Sequence, residues 1–237
     1  ERGIDVLTPT TLRDEQLVAE LKNTEWEVFV VAAYNKLIPK NVLDIPKHGC
    51  LNVHPSLLPK FRGPSPALSA ILADERITGV SVMLMDEKMD EGPVVAQAQI
   101  ALDEESWPPK VSEFEELLAQ EGGNLLAEII PFWIKGQITP EPQDNSEATF
   151  SHKFSSTDAQ IDVRGDARQQ LLKIRAFDKN PRAFYFAEKK NGNAMARKKI
   201  TLLTEKLLFT SIDEKTVFEA EKNKKIHDFE DGLQYYS

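Results

Sequence analysis

The chain has 237 residues, of which 41% are hydrophobic and 28% charged, and its formal net charge is −9. This composition is typical of a globular protein, and no apolar run has the length of a membrane span or the pattern of a signal peptide. Because Cys50 is the only cysteine, an internal disulfide is excluded, and we expect a reducing, cytoplasmic compartment.

The charge is distributed unevenly along the chain. Residues 153–237 contain 17 lysines and arginines and 13 acidic residues, so this part is +4 and the remainder is −13. An acidic part joined to a basic part indicates two functions, although ordinary solvated surfaces could also produce the contrast. The overall negative charge by itself argues against a nucleic-acid partner, and the basic part argues for one.

Helical and strand patterns alternate over the first part of the chain. An amphipathic pattern predicts a helix over 11–22, and the continuous apolar run at 27–34 is typical of a strand buried on both faces. Further helices are predicted at 39–45, 64–73 and 111–134, the last broken near Gly122-Gly123, and further strands at 50–54, 80–85 and 94–102. The alternation predicts an α/β domain over 1–135 with a doubly wound, mostly parallel sheet.

The composition changes after residue 135. Residues 136–152 contain two closely spaced prolines and many polar residues without periodicity, which is typical of a linker. Beyond them, one helix is predicted at 167–177, and short strands are predicted at 184–187, 200–203, 207–212, 216–220 and 233–236. Short strands with polar turns favour a small β-barrel over 153–237, which this chain need not complete.

Asn52 and His54 lie at the end of a predicted strand. Side chains alternate along a strand, so these two point to the same face, and Pro55 and Pro59 prevent a central strand from continuing. Ligands of open α/β sheets bind outside the carboxyl ends of the strands. An amide and an imidazole placed there could polarise a carbonyl and move a proton. A histidine at a strand end is nevertheless more often a structural residue.

An acidic loop follows the strand predicted at 80–85. Its acidic residues are Asp86, Glu87, Asp90 and Glu91. An acid close to His54 would raise the pKa of the imidazole and help it to act as an acid or as an oxyanion partner. Residue type does not choose among the four acids, and acids beside Gly92-Pro93 also suit an ordinary solvated turn.

Metal and dinucleotide sites are not indicated by the sequence. The histidines are His48, His54, His152 and His227. They are too scattered for a zinc site in a chain with one cysteine. Neither the glycine-rich dinucleotide motif nor the phosphate-loop motif occurs. We therefore expect neither ligand.

Three motifs together resemble the 10-formyltetrahydrofolate-dependent formyltransferases. They are Asn52-Val53-His54, Ser56-Leu57-Leu58-Pro59 and the loop Met85-Asp86-Glu87-Lys88-Met89-Asp90-Glu91-Gly92. Within this family, residues 60–66, 78–83 and 174–177 resemble the members that act on initiator methionyl-tRNA. The resemblance is dense from about residue 29 to residue 100, intermittent to about residue 186 and faint beyond.

The resemblance implies a role for each matching residue. Asn52, His54 and Asp90 match the catalytic triad of the family. The folate-binding segment is matched by Ser56, Leu57, Leu58 and Pro59. The implied reaction transfers a formyl group from 10-formyltetrahydrofolate to the amino group of methionyl-initiator tRNA, for translation initiation, without a metal ion.

The resemblance also implies an architecture and a partner. The catalytic domain would be Rossmann-like, and 153–237 would form an OB-like barrel that contacts tRNA through basic side chains in a monomeric enzyme that does not bind membranes. The candidate contacts near the predicted helix are Arg164, Arg168, Lys173 and Arg175. Since the family normally has further strand–helix units before the region that matches Glu1, we expect a fragment without its N-terminal units.

Alternatives stay open at this point. The same active site could act on another amine, such as glycinamide ribonucleotide or an amino sugar, or it could hydrolyse formyl-folate. A protein that kept the motifs but lost the N-terminal units could also be a non-catalytic RNA-binding remnant. The linker and the basic second part favour tRNA as the substrate.

Overall fold

The structure, a computed structural model, describes residues 5–34, 36–191 and 194–202. Its helices are α1 (Glu15–Lys22), α2 (Lys40–Leu43), α3 (Pro66–Leu72), α4 (Val111–Ile134) and α5 (Ala167–Ala176), with 3₁₀ turns at Glu104–Ser106 and Asn145–Glu147. Its strands are β1 (Phe29–Ala32), β2 (Cys50–His54), β3 (Ile77–Leu84), β4 (Val94–Ala101), β5 (Phe184–Asn191) and β6 (Ala194–Thr201). No helix within the described ranges is long and apolar enough to cross a membrane.

Most predicted elements are observed, with differences at their ends. Helix α1 begins later than predicted because Asp14 is its N-cap, and the Asp14 carboxylate accepts a hydrogen bond from the Leu17 amide at 3.0 Å. Helix α4 is continuous, so the predicted break near Gly122-Gly123 is wrong. A Cβ atom at Gly122 would lie 2.5 Å from Cγ1 of Val53, so the glycine allows the helix to approach β2 closely.

Strands β1 to β4 form one sheet in the order β1-β2-β3-β4. Strands β1 and β2 are parallel, whereas β2 and β3 are antiparallel, with Asn52 opposite Met83 and His54 opposite Ser81. The described sheet is therefore mixed, and the prediction of a mostly parallel sheet is wrong. The cause of the error is that β3 is almost entirely buried, and a continuous apolar run does not report the direction of a strand.

Packing divides the chain into two units. The first comprises residues 1–64, 79–100 and 118–150. In its core, Leu51, Val82 and Val95 of three adjacent strands pack with Ile129 and Trp133 of α4. Burial of these apolar side chains is the main stabilisation of the layer that carries β2.

The second unit comprises residues 65–78, 101–117 and 151–237. Helices α3 and α5 pack against each other in it, and Leu172 and Phe177 are buried. Strands β5 and β6 form an antiparallel pair, which includes the strand predicted at 184–187 and the first two residues of the strand predicted at 200–203. The strands predicted at 207–212, 216–220 and 233–236 lie outside the described residues, so the OB-like barrel stays a prediction. The domain boundaries, 1–135, 136–152 and 153–237, also stay predictions.

Candidate active site

Strand β2 carries Asn52 and His54 to the edge of the sheet, as the sequence predicts. The imidazole of His54 is buried, with 4% of its surface exposed, and Asn52 is half-buried. None of the hydrogen bonds among the described residues involves the side-chain amide of Asn52. This amide can therefore donate a hydrogen bond to an oxygen atom of a ligand. The strand ends at Pro55, which has no amide hydrogen for the ladder.

His54 contacts two different segments through its two ring nitrogens. Nε2 lies 3.0 Å from the carbonyl oxygen of Phe61, and Nδ1 lies 3.8 Å from Oδ2 of Asp90. A carbonyl oxygen only accepts hydrogen bonds, so Nε2 carries the hydrogen and donates it to Phe61. In the neutral imidazole, Nδ1 is consequently unprotonated and faces the carboxylate.

Burial and charge act on His54 in opposite directions. Burial is the largest influence and lowers the pKa of His54 below its ordinary value of 6.5, while Asp90 and the Phe61 carbonyl oppose the shift. The sequence analysis predicted that a nearby acid would raise the pKa. The carboxylate does act in that direction, and the larger effect of burial, which was not visible in the sequence, determines the direction of the net shift.

Asp90 is the acid that reaches the imidazole. It is 16% exposed, and its Oδ2 accepts a hydrogen bond of 2.8 Å from the amide of Gly63. Its backbone is left-handed, at φ +54°, a conformation that costs about 1 kcal/mol in a residue with a side chain. Two of the other acids contact the loop itself: Asp86 accepts from the Lys88 amide, and Glu91 pairs with the Lys88 ammonium at 3.2 Å.

The loop that carries Asp90 returns very closely to the sheet. A Cβ atom at Gly92 would lie 1.9 Å from the carbonyl oxygen of Leu84, the last residue of β3. Only glycine permits this approach. The motif spacing from Met85 to Gly92 therefore reflects a tight turn that brings Asp90 towards His54.

The predicted folate-binding segment, residues 56–59, is held mainly through its backbone. The Ser81 hydroxyl donates to the Ser56 carbonyl at 2.6 Å and accepts from the Leu58 amide at 2.9 Å. Gln97 donates to the Leu58 carbonyl at 2.8 Å. Ser56 and Leu58 are buried, and the Ser56 hydroxyl donates to the Lys60 carbonyl. The half-buried members, Leu57 and Pro59, are the ones that could contact a ligand.

The sequence analysis missed Arg62 and Gln143. Arg62 is 2% exposed, and its guanidinium donates to the Gln143 side-chain oxygen, from Nε at 3.0 Å and from Nη2 at 2.8 Å. It also donates to Oδ1 of Asn145 at 2.9 Å. Gln143 lies in the predicted linker, and residues 141–149, called the Gln143 segment below, pack within the first unit. The arginine in the family motif was a signal, but nothing near residue 143 in the sequence marks its partner.

The Gln143 segment is bonded at both ends as well. The Glu141 and Val94 backbones form a two-bond bridge, with N–O distances of 2.7 and 2.8 Å. The Thr149 hydroxyl accepts from the Phe61 amide at 2.8 Å, and the Thr149 carbonyl accepts from the Arg62 amide at 2.9 Å. The segment thus runs along the residues that follow β2.

The basic residues predicted to contact tRNA have different surroundings. The Arg168 guanidinium forms two hydrogen bonds with the Asp74 carboxylate, and the shorter one is 2.6 Å. Lys173 donates to the Gln160 carbonyl at 3.0 Å. Both side chains therefore contribute to the packing of the second unit. Among the described residues, no group of three or more acidic, histidine or cysteine side chains could hold a metal ion.

Comparison with known proteins identifies the class to which this site belongs. The sequence model described as formyl transferase matches residues 3–130, more than half of the chain. The chain therefore belongs to the formyl transferase family. The match includes the tip of β2, the segment at 56–59 and the loop that carries Asp90.

Among curated relatives, the chain is similar to proteins named methionyl-tRNA formyltransferase. The one from Chloroflexus aurantiacus is 42% identical over 186 residues, which cover 78% of this chain and 58% of the relative. The one from Thermodesulfovibrio yellowstonii is 36% identical over 184 residues, with the same two shares. The chain thus spans less than two thirds of the length of these relatives.

Solved structures share the fold at low sequence identity. A sugar N-formyltransferase from a Shewanella species has a TM-score of 0.61 and 19% identity, with 80% of this chain and 75% of that chain covered. HypX from Aquifex aeolicus, solved in complex with tetrahydrofolic acid, has a TM-score of 0.64 and 22% identity, with 83% of this chain and 33% of that chain covered. These likenesses support the fold, and at such identities they carry no more than the fold.

Proposed function

We propose that the protein transfers a formyl group from 10-formyltetrahydrofolate to the amino group of methionyl-initiator tRNA, for translation initiation. The observation that carries the proposal is the meeting of His54 with Asp90 beside Asn52, at a strand tip of a formyl transferase domain. The catalytic roles of the three residues, described next, are part of the proposal.

The reaction requires a proton to leave the amine and another to reach the folate nitrogen. As the amine nitrogen bonds to the formyl carbon, the Asn52 amide donates to the oxyanion that develops on the formyl oxygen. His54 accepts the amine proton at Nδ1, which is unprotonated when Nε2 donates to Phe61. The imidazolium, stabilised by Asp90 at 3.8 Å, then delivers a proton as the bond between the formyl carbon and the folate nitrogen breaks.

The formyl donor suits the segment at 56–59. Ser81 and Gln97 hold the backbone of this segment through hydrogen bonds to Leu58, and the side chains of Leu57 and Pro59 stay partly exposed. Half-buried apolar side chains are appropriate for the flat ring of a pterin.

Two observations favour tRNA as the acceptor. The Chloroflexus relative is named methionyl-tRNA formyltransferase, and its alignment with this chain covers 186 residues. The similarity therefore extends beyond residues 3–130, which the family model matches. The part beyond residue 152 is +4 while the rest is −13, and a basic part suits a polyanion. Binding through phosphates would weaken steeply with salt.

The experiment uses the full-length protein, 10-formyltetrahydrofolate and three acceptors: methionyl-initiator tRNA, glycinamide ribonucleotide and a nucleotide-linked amino sugar. We expect formylmethionyl-tRNA to form, with much slower reaction of the small amines. Preferential formylation of a small amine, or release of formate without an acceptor, would replace the proposal by one of the alternatives. Binding of tRNA without any turnover would indicate a non-catalytic remnant.

A further inference from the structure

The side-chain amide of Gln143 joins the catalytic loop at two points. Its nitrogen donates to the carbonyl oxygens of Asp90, at 2.8 Å, and of Gly92, at 2.7 Å. The Asp90 carbonyl belongs to the peptide unit that follows Asp90, and the Gly92 carbonyl lies two residues further along the same turn. Both hydrogens of the amide are therefore used to hold the turn around the carboxylate that faces His54.

Arg62 determines the orientation of this amide. A guanidinium has donors only, so the atom that lies 2.8 Å from Nη2 must be the amide oxygen. The amide nitrogen then has to face the loop carbonyls. Arg62 is almost fully buried and so has little freedom to release Gln143. If the amide of Gln143 were turned by 180°, both hydrogen bonds from the guanidinium would be lost.

Three consecutive residues connect the whole site. The carbonyl of Phe61 accepts from His54, the guanidinium of Arg62 holds Gln143, and the amide of Gly63 donates to Asp90. The His54 imidazole and the Asp90 carboxylate are thus both hydrogen-bonded to the short segment 61–63. Gln143 closes this network of hydrogen bonds, because it accepts from Arg62 and donates to the backbone of Asp90.

We propose that Gln143, oriented by Arg62, is a positioning residue that holds the Asp90 carboxylate against His54 in the left-handed turn. The role rests on the proposed function, because it acts through the imidazole and carboxylate assigned to the reaction. Asp90 has φ +54°, and a side chain in that region persists only where its surroundings hold it. Without the two amide hydrogen bonds, the loop can relax and the carboxylate can leave Nδ1.

The first test is Gln143→Glu. A glutamate keeps an acceptor for Arg62 but has no hydrogen for the two carbonyls, so the support is removed while the buried guanidinium stays paired. We expect kcat to fall by about 10- to 100-fold, because small misplacements of reacting groups slow a reaction by such factors. The KM for 10-formyltetrahydrofolate should stay within about twofold of the parent value. The matched control is Asn145→Ala, which removes another acceptor of the same guanidinium and should leave kcat within about twofold.

A second variant separates positioning from folding and from the identity of the substrate. Gln143→Met is neutral and similar in size, and it removes both donors. In the parent, the described contacts of His54 place the Asp90 carboxylate against Nδ1, and the field of that carboxylate raises the affinity of the ring for a proton. We therefore expect NMR titration to give a lower pKa for His54 in Gln143→Met than in the parent or in Asn145→Ala.

The outcomes are distinguishable. If Gln143→Met titrates as the parent does and Gln143→Glu keeps kcat within twofold, the positioning role is wrong, whatever substrate the parent uses. If the parent formylates a small amine instead of tRNA, the acceptor is wrong, but the two readouts still decide the role of Gln143. A loss of thermal stability with an unchanged imidazole titration would also overturn the proposal, because it would show a purely structural contact.

Discussion

Two segments surround His54 and Asp90, and their sequences reveal their roles to very different extents. Residues 54–63 begin at His54, include the family motif at 56–59 and are buried or half-buried throughout. Residues 141–149, the Gln143 segment, are mostly exposed and polar, yet Gln143 bonds the loop of Asp90 twice. The comparison teaches that local pattern marks the groups proposed to react, whereas the groups that support them depend on contacts between distant parts of the chain.

The largest effect is expected at the tip of β2, next to the motif segment. In Asn52→Ala, the developing oxyanion would lose an amide donor, and we expect kcat to fall by roughly 10²- to 10³-fold. Steady-state formylation assays with saturating donor would measure the loss. A rate within tenfold of the parent would mean that Asn52 is not an oxyanion donor, and the contrast between the motif residues and the Gln143 segment would disappear.

The second-largest effect is expected in the pH dependence of the reaction, which tests His54 and Asp90. Burial lowers the pKa of His54 below 6.5, and the proposed base is the neutral ring, so kcat/KM should fall only as the pH drops through that lowered pKa. In Asp90→Asn, the carboxylate no longer raises the pKa of His54. The acid limb of the pH–rate profile should therefore move to lower pH, while kcat drops by about 10- to 100-fold. A limb that moves to higher pH would contradict the assigned charge of Asp90.

A third change tests the connection between the two segments. In Arg62→Met, the oxygens of Gln143 and Asn145 lose their donor, and we expect the free energy of unfolding to decrease by roughly 1–3 kcal/mol. Urea denaturation monitored by tryptophan fluorescence would measure it. Arg62→Lys is the matched control for charge, and it should recover only part of the loss, because an ammonium does not present the planar fork that binds Gln143 twice. Equal stability of parent and Arg62→Met would mean that the segments are held together by their backbones alone.

The smallest effect is expected at the end of the Gln143 segment. Thr149→Ala removes the hydroxyl that accepts from the Phe61 amide but keeps the backbone hydrogen bond to Arg62. We expect a loss of about 1 kcal/mol in the free energy of unfolding and a rate within twofold of the parent. A tenfold loss of kcat would show that the segment acts through more side chains than Gln143.

The predictable part of the site consisted of residues close together in sequence. Asn52 and His54 share a face because β-strand side chains alternate, and the proline that follows ends the strand. Asp90 was different, since four acids of its loop were equivalent by residue type, and the resemblance to a family selected one of them. In the structure, Asp90 alone among the four combines a left-handed backbone with a contact to the imidazole.

The fold was predictable to a similar extent. Apolar periodicity located the strands and helices of the first unit, but it did not reveal that β2 and β3 are antiparallel, because both directions bury the same side chains. The break predicted in α4 was wrong for a related reason. Glycine weakens an isolated helix, yet at Gly122 the absence of a side chain allows close packing on Val53.

By itself, the sequence determined the elements, the shared face of Asn52 and His54 and the family. The tertiary structure decided the direction of β3, the net pKa shift of His54 and the involvement of Gln143. The physical reason is that patterning and alternation are local properties of a chain. Burial of a charge and the pairing of an amide with an arginine 81 residues away arise only when distant segments pack together.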